Sequence, residues 1–256
     1  MGDLPSQVEL HSALGQLAAY RTDWAQVERS TEASAALAER EGLVSKLSLP
    51  YALQGLLRWR DGDLDEAARL FRRAHELADQ VGWSELAFQS LFGLSLCLRD
   101  RNEHGDAITA LGQAVEVSER AGLVAQSILA RSGLAVAHAL AEQPEKAGEA
   151  AAEAVRLAEQ LHYPIARAAA LEARGATVED PDEGASVLAA AETAWASLER
   201  PLEAARCRLL AGFRLRGHDL ERSRRLLGDA AAESERLGVA HLAERARGLM
   251  PAGREV

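Results

Sequence analysis

The residues able to do chemistry are thinly scattered along this chain. The histidines His11, His75, His104, His138, His162, His218 and His241 never fall into a His-Glu-x-x-His pair or a Cys/His ligand cluster. His75 and Asp79 stand four apart on one helical face, but two ligands do not make a metal site. Asp61-Gly62-Asp63-Leu64-Asp65-Glu66 is acidic enough to suggest calcium, yet it lacks the twelve-residue ligand order and reads as a helix–helix turn. No serine sits in a Gly-x-Ser-x-Gly elbow, so hydrolase chemistry has no nucleophile in its usual setting. Cys97 and Cys207 are too few for a zinc site or a disulfide framework, and Cys97, flanked by Leu94 and Leu98, reads as a packed core thiol. We expect no catalytic residue, no metal and no cofactor.

Charge narrows the partner. In 256 residues, 39 acids against 29 bases leave a net charge of −10, which disfavours a polyanion such as DNA or RNA. Residues 201–256 run against this balance, with 11 Arg, no Lys and 8 acids. Arg214, Arg216, Arg222, Arg224 and Arg225 form the densest basic group. They are either a docking patch for an acidic partner or solvated helix faces laced with ion pairs. Met1-Gly2-Asp3-Leu4-Pro5-Ser6 satisfies the bare myristoylation pattern, but Asp3 and Pro5 are unfavourable to it. The same start lacks a basic stretch followed by an apolar one, and nowhere do eighteen apolar residues run together. The expectation is a cytoplasmic chain without a membrane span.

The elements that carry these residues repeat. Gly42, Gly82 and Gly122 stand 40 residues apart, as do Ala67, Ala107 and Ala147, and Ala74, Ala114 and Ala154. Apolar residues recur at three- and four-residue steps, clearest in Leu64, Ala67, Ala68, Phe71, Ala74, Leu77 and Ala78. No period-2 strand stands out. The pattern predicts thirteen helices near 5–20, 24–40, 45–60, 64–80, 84–100, 104–120, 124–141, 144–161, 164–176, 182–198, 201–215, 219–236 and 239–248. They make about six hairpins and a C-terminal capping helix, in a single domain over residues 1–256.

The second unit carries a family resemblance. Tyr51, Gly55, Ala67, Phe71 and Ala74 fall where the tetratricopeptide repeat wants aromatic, Gly, Ala, aromatic and Ala. The chain therefore resembles tetratricopeptide proteins, which implies an all-α superhelical solenoid that binds protein or peptide partners. Two features depart from the pattern. The period is near 40 rather than about 34, and Gly93 to Ala107 spans 14 residues where Gly55 to Ala67 spans 12. Repeats of this longer kind, with Arg200-Pro201-Leu202-Glu203-Ala204-Ala205-Arg206-Cys207, resemble the C-terminal halves of bacterial LuxR/MalT-type ATP-dependent regulators. The phosphate-binding Gly-x₄-Gly-Lys-Ser/Thr motif of their ATPases is absent. The tail from Leu249 to Val256 resembles the opening of LuxR-type DNA-binding domains, either by coincidence or as the remnant of a longer regulator.

In such a solenoid the first helix of each hairpin lines the inner surface. Registered on Gly55, Gly93 and Gly133, the inward residues are Leu56, Trp59, Ser90, Leu94, Cys97, Ala130, Leu134 and Ala137, some of which belong to the core between hairpins. That lining is small and apolar. It lacks the Lys/Asn/Arg set that the resemblance would require for clamping a peptide carboxylate, and it suits an amphipathic helix or apolar segment. The function expected is a non-enzymatic interaction or scaffolding module of a bacterial regulator. The alternative is a sensor holding a small effector or signal peptide in the groove.

Overall fold

The computed structural model describes residues 4–251; the first three residues of the myristoylation pattern and the tail beyond Pro251 lie outside them. Among the described residues thirteen α-helices follow one another: α1 (Leu4–Tyr20), α2 (Trp24–Arg40), α3 (Ser48–Arg60), α4 (Leu64–Gln80), α5 (Ser84–Asp100), α6 (His104–Arg120), α7 (Val124–Leu140), α8 (Pro144–Leu161), α9 (Pro164–Thr177), α10 (Pro181–Ser197), α11 (Pro201–Arg214), α12 (Leu220–Arg236) and α13 (Ala240–Gly248). Each lies within a few residues of its sequence expectation. The additions are two short 3₁₀ turns, Val44–Lys46 and Leu215–Gly217.

The spacing of the turns explains the regularity. Up to His162 the residues with left-handed backbone, Thr22, Gly42, Gly62, Gly82, Asn102, Gly122, Glu142 and His162, keep a constant step of 20, and Glu199 and Gly238 follow at wider intervals. At most of them the residue after the left-handed one bonds back into the helix it leaves, as Trp83 N–H does to the Ala78 carbonyl at 2.8 Å. This bond closes the last turn and satisfies an orphan carbonyl. Alternate turns then differ. Asp23 and Asp63 accept from the backbone N–H of Gln26 and Glu66 at 3.1 and 3.2 Å, capping the second helix of their hairpins. The intervening turns carry Leu43, Trp83 and Leu123 at the same place.

The chain divides into two compact units, one up to Ala130 and one from Arg131, with the division inside α7. In the first, α1 packs on α2, α3 on α4, and α4 and α6 on α5. In the second, α8, α9, α10, α11, α12 and α13 pack each on the next. Small residues recur where helices approach: Gly15, Gly55, Ser95, Ala135 and Gly175 are 40 apart and all buried. Around Gly55 the geometry is explicit. A Cβ there would lie 3.2 Å from the Phe71 ring, and one on Gly93 would lie 2.4 Å from it, so the ring from α4 wedges between α3 and α5. The second unit has its own apolar core, including Val136, Ala176, Leu188, Leu210 and Leu215.

Gly93→Ala is therefore expected to destabilise by roughly 1–3 kcal/mol through overpacking against Phe71. Gly112→Ala, on α6 with nothing near its missing Cβ, is expected to stabilise by up to about 1 kcal/mol. Urea titration of both variants checks the pair.

Candidate functional site

The inward residues expected from the sequence are for the most part interior. Trp59, Cys97, Ala130 and Ala137 are fully buried, and Leu94 almost so. Ser90 is buried as well, and its hydroxyl donates to the Leu86 carbonyl at 2.8 Å on its own helix. Leu56 and Leu134 are half-buried. The inner helices of the first unit are laced together: Gln16 Nε2 donates to Gln89 Oε1 at 2.7 Å, and the Trp59 indole to Asp100 Oδ2 at 2.7 Å. The step of 40 from Gly55 leads to Ser95, two residues past Gly93, so the counterpart of Leu56 on α5 is the half-buried Leu96. Gly93 drew the register because it is a glycine; Ser95 fills the place because small size suffices.

The basic group of the second unit is largely consumed by its own structure. The Arg214 guanidinium donates to the Ala176 carbonyl at 2.7 Å and to that of Val178, closing the C-terminal end of α9. It has room because Gly184 lacks a side chain; a Cβ there would stand 2.7 Å from Arg214 Nε. Burial holds the Arg214 pKa below the usual guanidinium value. Arg222 bonds Asp182 at 3.0 Å, Arg224 donates to the Pro251 carbonyl at 3.1 Å, and Arg216 lies 4.4 Å over the Phe213 ring. Cys97 and Cys207 are both free and buried. Burial, with the charges of Glu172, Glu192 and Glu203, pushes the Cys207 thiol well above its ordinary range, which leaves it protonated and unreactive. Among the described residues no three His, Cys, Asp or Glu side chains group as metal ligands.

Apart from Leu10, Leu14 and Leu17 on α1, exposed apolar side chains gather at the turns. Val44, Val81, Trp83 and Val124 are all exposed, Trp83 to 37%. They flank the turns at Gly42, Gly82 and Gly122, which join the second helix of one hairpin to the first of the next. Beside Trp83 is an open cavity of about 180 Å³, walled by Ala78, Asp79, Ser84, Ala87, Val117 and Arg120 from the ends of α4 and α6 and the start of α5. Its lining is mixed, with Ala78, Ala87 and Val117 largely buried beside it and Asp79 and Arg120 supplying one charge of each sign. In the second unit Leu161 and Tyr163 are exposed at the corresponding turn. These residues escape sequence periodicity because they lie outside the helical stripes; the signal is an apolar side chain just after Gly42, Gly82 and Gly122, where Gly62 has Asp63.

Residues 48–120 match the family model described as tetratricopeptide repeat. That stretch is a tetratricopeptide array. The match contains α3 to α6, and with them Gly55, Phe71, Gly93 and the cavity beside Trp83. The sequence matches no curated protein. Among solved structures, the crystal structure of aspartyl phosphate phosphatase F from Bacillus subtilis is similar over 100% of this chain, with a TM-score of 0.73 at 14% identity. This chain spans 63% of that one. The likeness shows the fold: an all-α, tetratricopeptide-like helical repeat.

Replacing Arg214 by Met is expected to destabilise by about 1–3 kcal/mol, because the α9 carbonyls lose their donors, whereas Arg225→Ala, at an exposed site, stays within about 0.5 kcal/mol of the parent. Thermal unfolding of the two variants separates a structural arginine from a surface one.

Proposed function

We propose that the chain is a non-enzymatic protein-interaction module, the regulatory part of a bacterial signalling or transcriptional regulator working in the cytoplasm. The tetratricopeptide match and the fold of the solved neighbour support a module that recruits proteins or peptides. The neighbour's name refers to a phosphatase; 14% identity carries its fold and not its reaction. No helix among the described residues is long and apolar enough to cross a membrane.

One observation carries the choice of surface and of ligand class: the cavity beside Trp83 measures about 180 Å³, below the roughly 300–1,000 Å³ of sites that enclose a free small molecule. Its volume is that of a single side chain. The adjoining Val81 and Trp83 then offer an apolar strip for the rest of a partner segment, with Asp79 and Arg120 orienting it through polar contacts at the rim. An amphipathic helix or short apolar peptide fits this description, and it favours recruitment over effector sensing. Leu56, Leu96 and Leu134, half-buried on inner helices, are secondary contact candidates.

The test is selection of peptides against the whole chain from an amphipathic-helix library, followed by titration of the best binders. Trp83→Ala is expected to weaken them by tenfold or more, roughly the cost of an aromatic anchor, with the far-ultraviolet spectrum unchanged. Binding that survives Trp83→Ala and falls with Leu56→Ala would move the site to the inner helices. Saturable binding of a small metabolite that ignores both variants would favour the sensor reading.

A further inference from the structure

The charges around the cavity beside Trp83 select the kind of side chain it takes. Within one helical turn of its lining, along residues 74–91 and 113–125, stand Glu76, Asp79, Glu85, Glu116 and Glu119 against a single base, Arg120, with His75 the one histidine. All five acidic residues are exposed. Glu76 is met by Arg73 at 3.1 Å, whereas Asp79, on the cavity wall, is engaged by no cation among the described residues. Arg120 is turned toward its own helix, where its Nε donates to the Glu116 carbonyl at 3.4 Å. The backbone tips the balance the same way. α4 and α6 end at the cavity and α5 begins there, which adds the partial negative charge of one helix C-terminus. The preceding turn is neutral by contrast, with Glu39 and Glu41 against Arg40 and Lys46.

This setting disfavours two kinds of occupant. An acidic side chain enters a field of its own sign. A purely aliphatic one takes water from the Asp79 carboxylate and returns no hydrogen bond. A lysine or arginine meets both demands. Its methylene stem lies along Trp83, Ala87 and Val117 while the charged head stays in the open mouth near Asp79, and the Trp83 ring attracts the cation. We propose that the cavity takes a lysine or arginine of the partner, so that the recruited segment is a basic amphipathic helix. This rests on the recruitment reading above and adds the partner's charge to it.

An amphipathic-helix peptide library whose polar positions draw equally on Lys, Arg, Glu and Gln, selected against the whole chain, tests the charge. Lys and Arg together are expected to exceed Glu by about tenfold or more among the binders. A chain of net charge −10 attracts basic peptides everywhere, so the decisive measurement is local. In the best binder each basic residue in turn is changed to norleucine, which keeps a lysine-like stem without the charge. One position is expected to lose about tenfold in affinity against the parent chain and less than about twofold against Asp79→Asn. Glu149→Gln, at an exposed carboxylate on α8, is expected to leave that tenfold loss intact. Binders that need Trp83 yet carry no essential basic residue, or a norleucine loss that persists in Asp79→Asn, would overturn the inference and leave recruitment at the turns standing. Binders indifferent to Trp83→Ala would overturn the recruitment site itself, and a library without binders would overturn both.

Discussion

Close approach of helices at small side chains is the constraint on which everything else depends. The Phe71 ring occupies space that a methyl group on Gly55 or Gly93 would invade. Gly15, Ser95, Ala135 and Gly175 keep the same step of 40. Close contact over such residues lets Ala and Leu fill a core with very few aromatics, because dispersion depends on short separation more than on ring size. Up to His162 the step of 20 between left-handed turns fixes helix length, and so brings each small residue there to the same height in its hairpin.

That tight packing has a functional consequence. Inner helices drawn together and cross-bonded by Gln16–Gln89 and Trp59–Asp100 leave few of their side chains available to a partner. Apart from α1, apolar side chains are instead exposed where one hairpin passes to the next, at Val44, Val81, Trp83 and Val124. These turns need an apolar residue beside the left-handed glycine to pack against the helix just ended, and part of that residue remains in solvent. A structural requirement of the turn thereby supplies a recognition edge.

The helices were legible from the sequence because amphipathic periodicity and Ala-rich propensity agree along nearly the whole chain. Half of the turns were harder to see. Thr22, Asn102, Glu142, His162 and Glu199 adopt the left-handed conformation without being glycine, so the step of 20 is hidden when glycine alone is followed. The inner surface is registered on Gly93 and Gly133 in the sequence, whereas the step of 40 from Gly55 falls on the buried Ser95 and Ala135. The basic cluster left a docking patch and ion-paired helix faces both open, because the carbonyls and carboxylates that engage Arg214 and Arg222 come from residues more than thirty positions away. Only the fold brings them together. The edge at Trp83 has no periodic signature at all, since it is assembled from the ends of three helices.

Amide hydrogen exchange of the full chain, with and without a bound partner peptide, bears most directly on recruitment at the turns. Added protection confined to residues 79–87 and 117–124, with α3 and the middle of α5 unchanged, is the expected result. Protection centred on Leu56, Phe92 and Leu96 with the turn segments unaffected would contradict it and return the site to the inner helices.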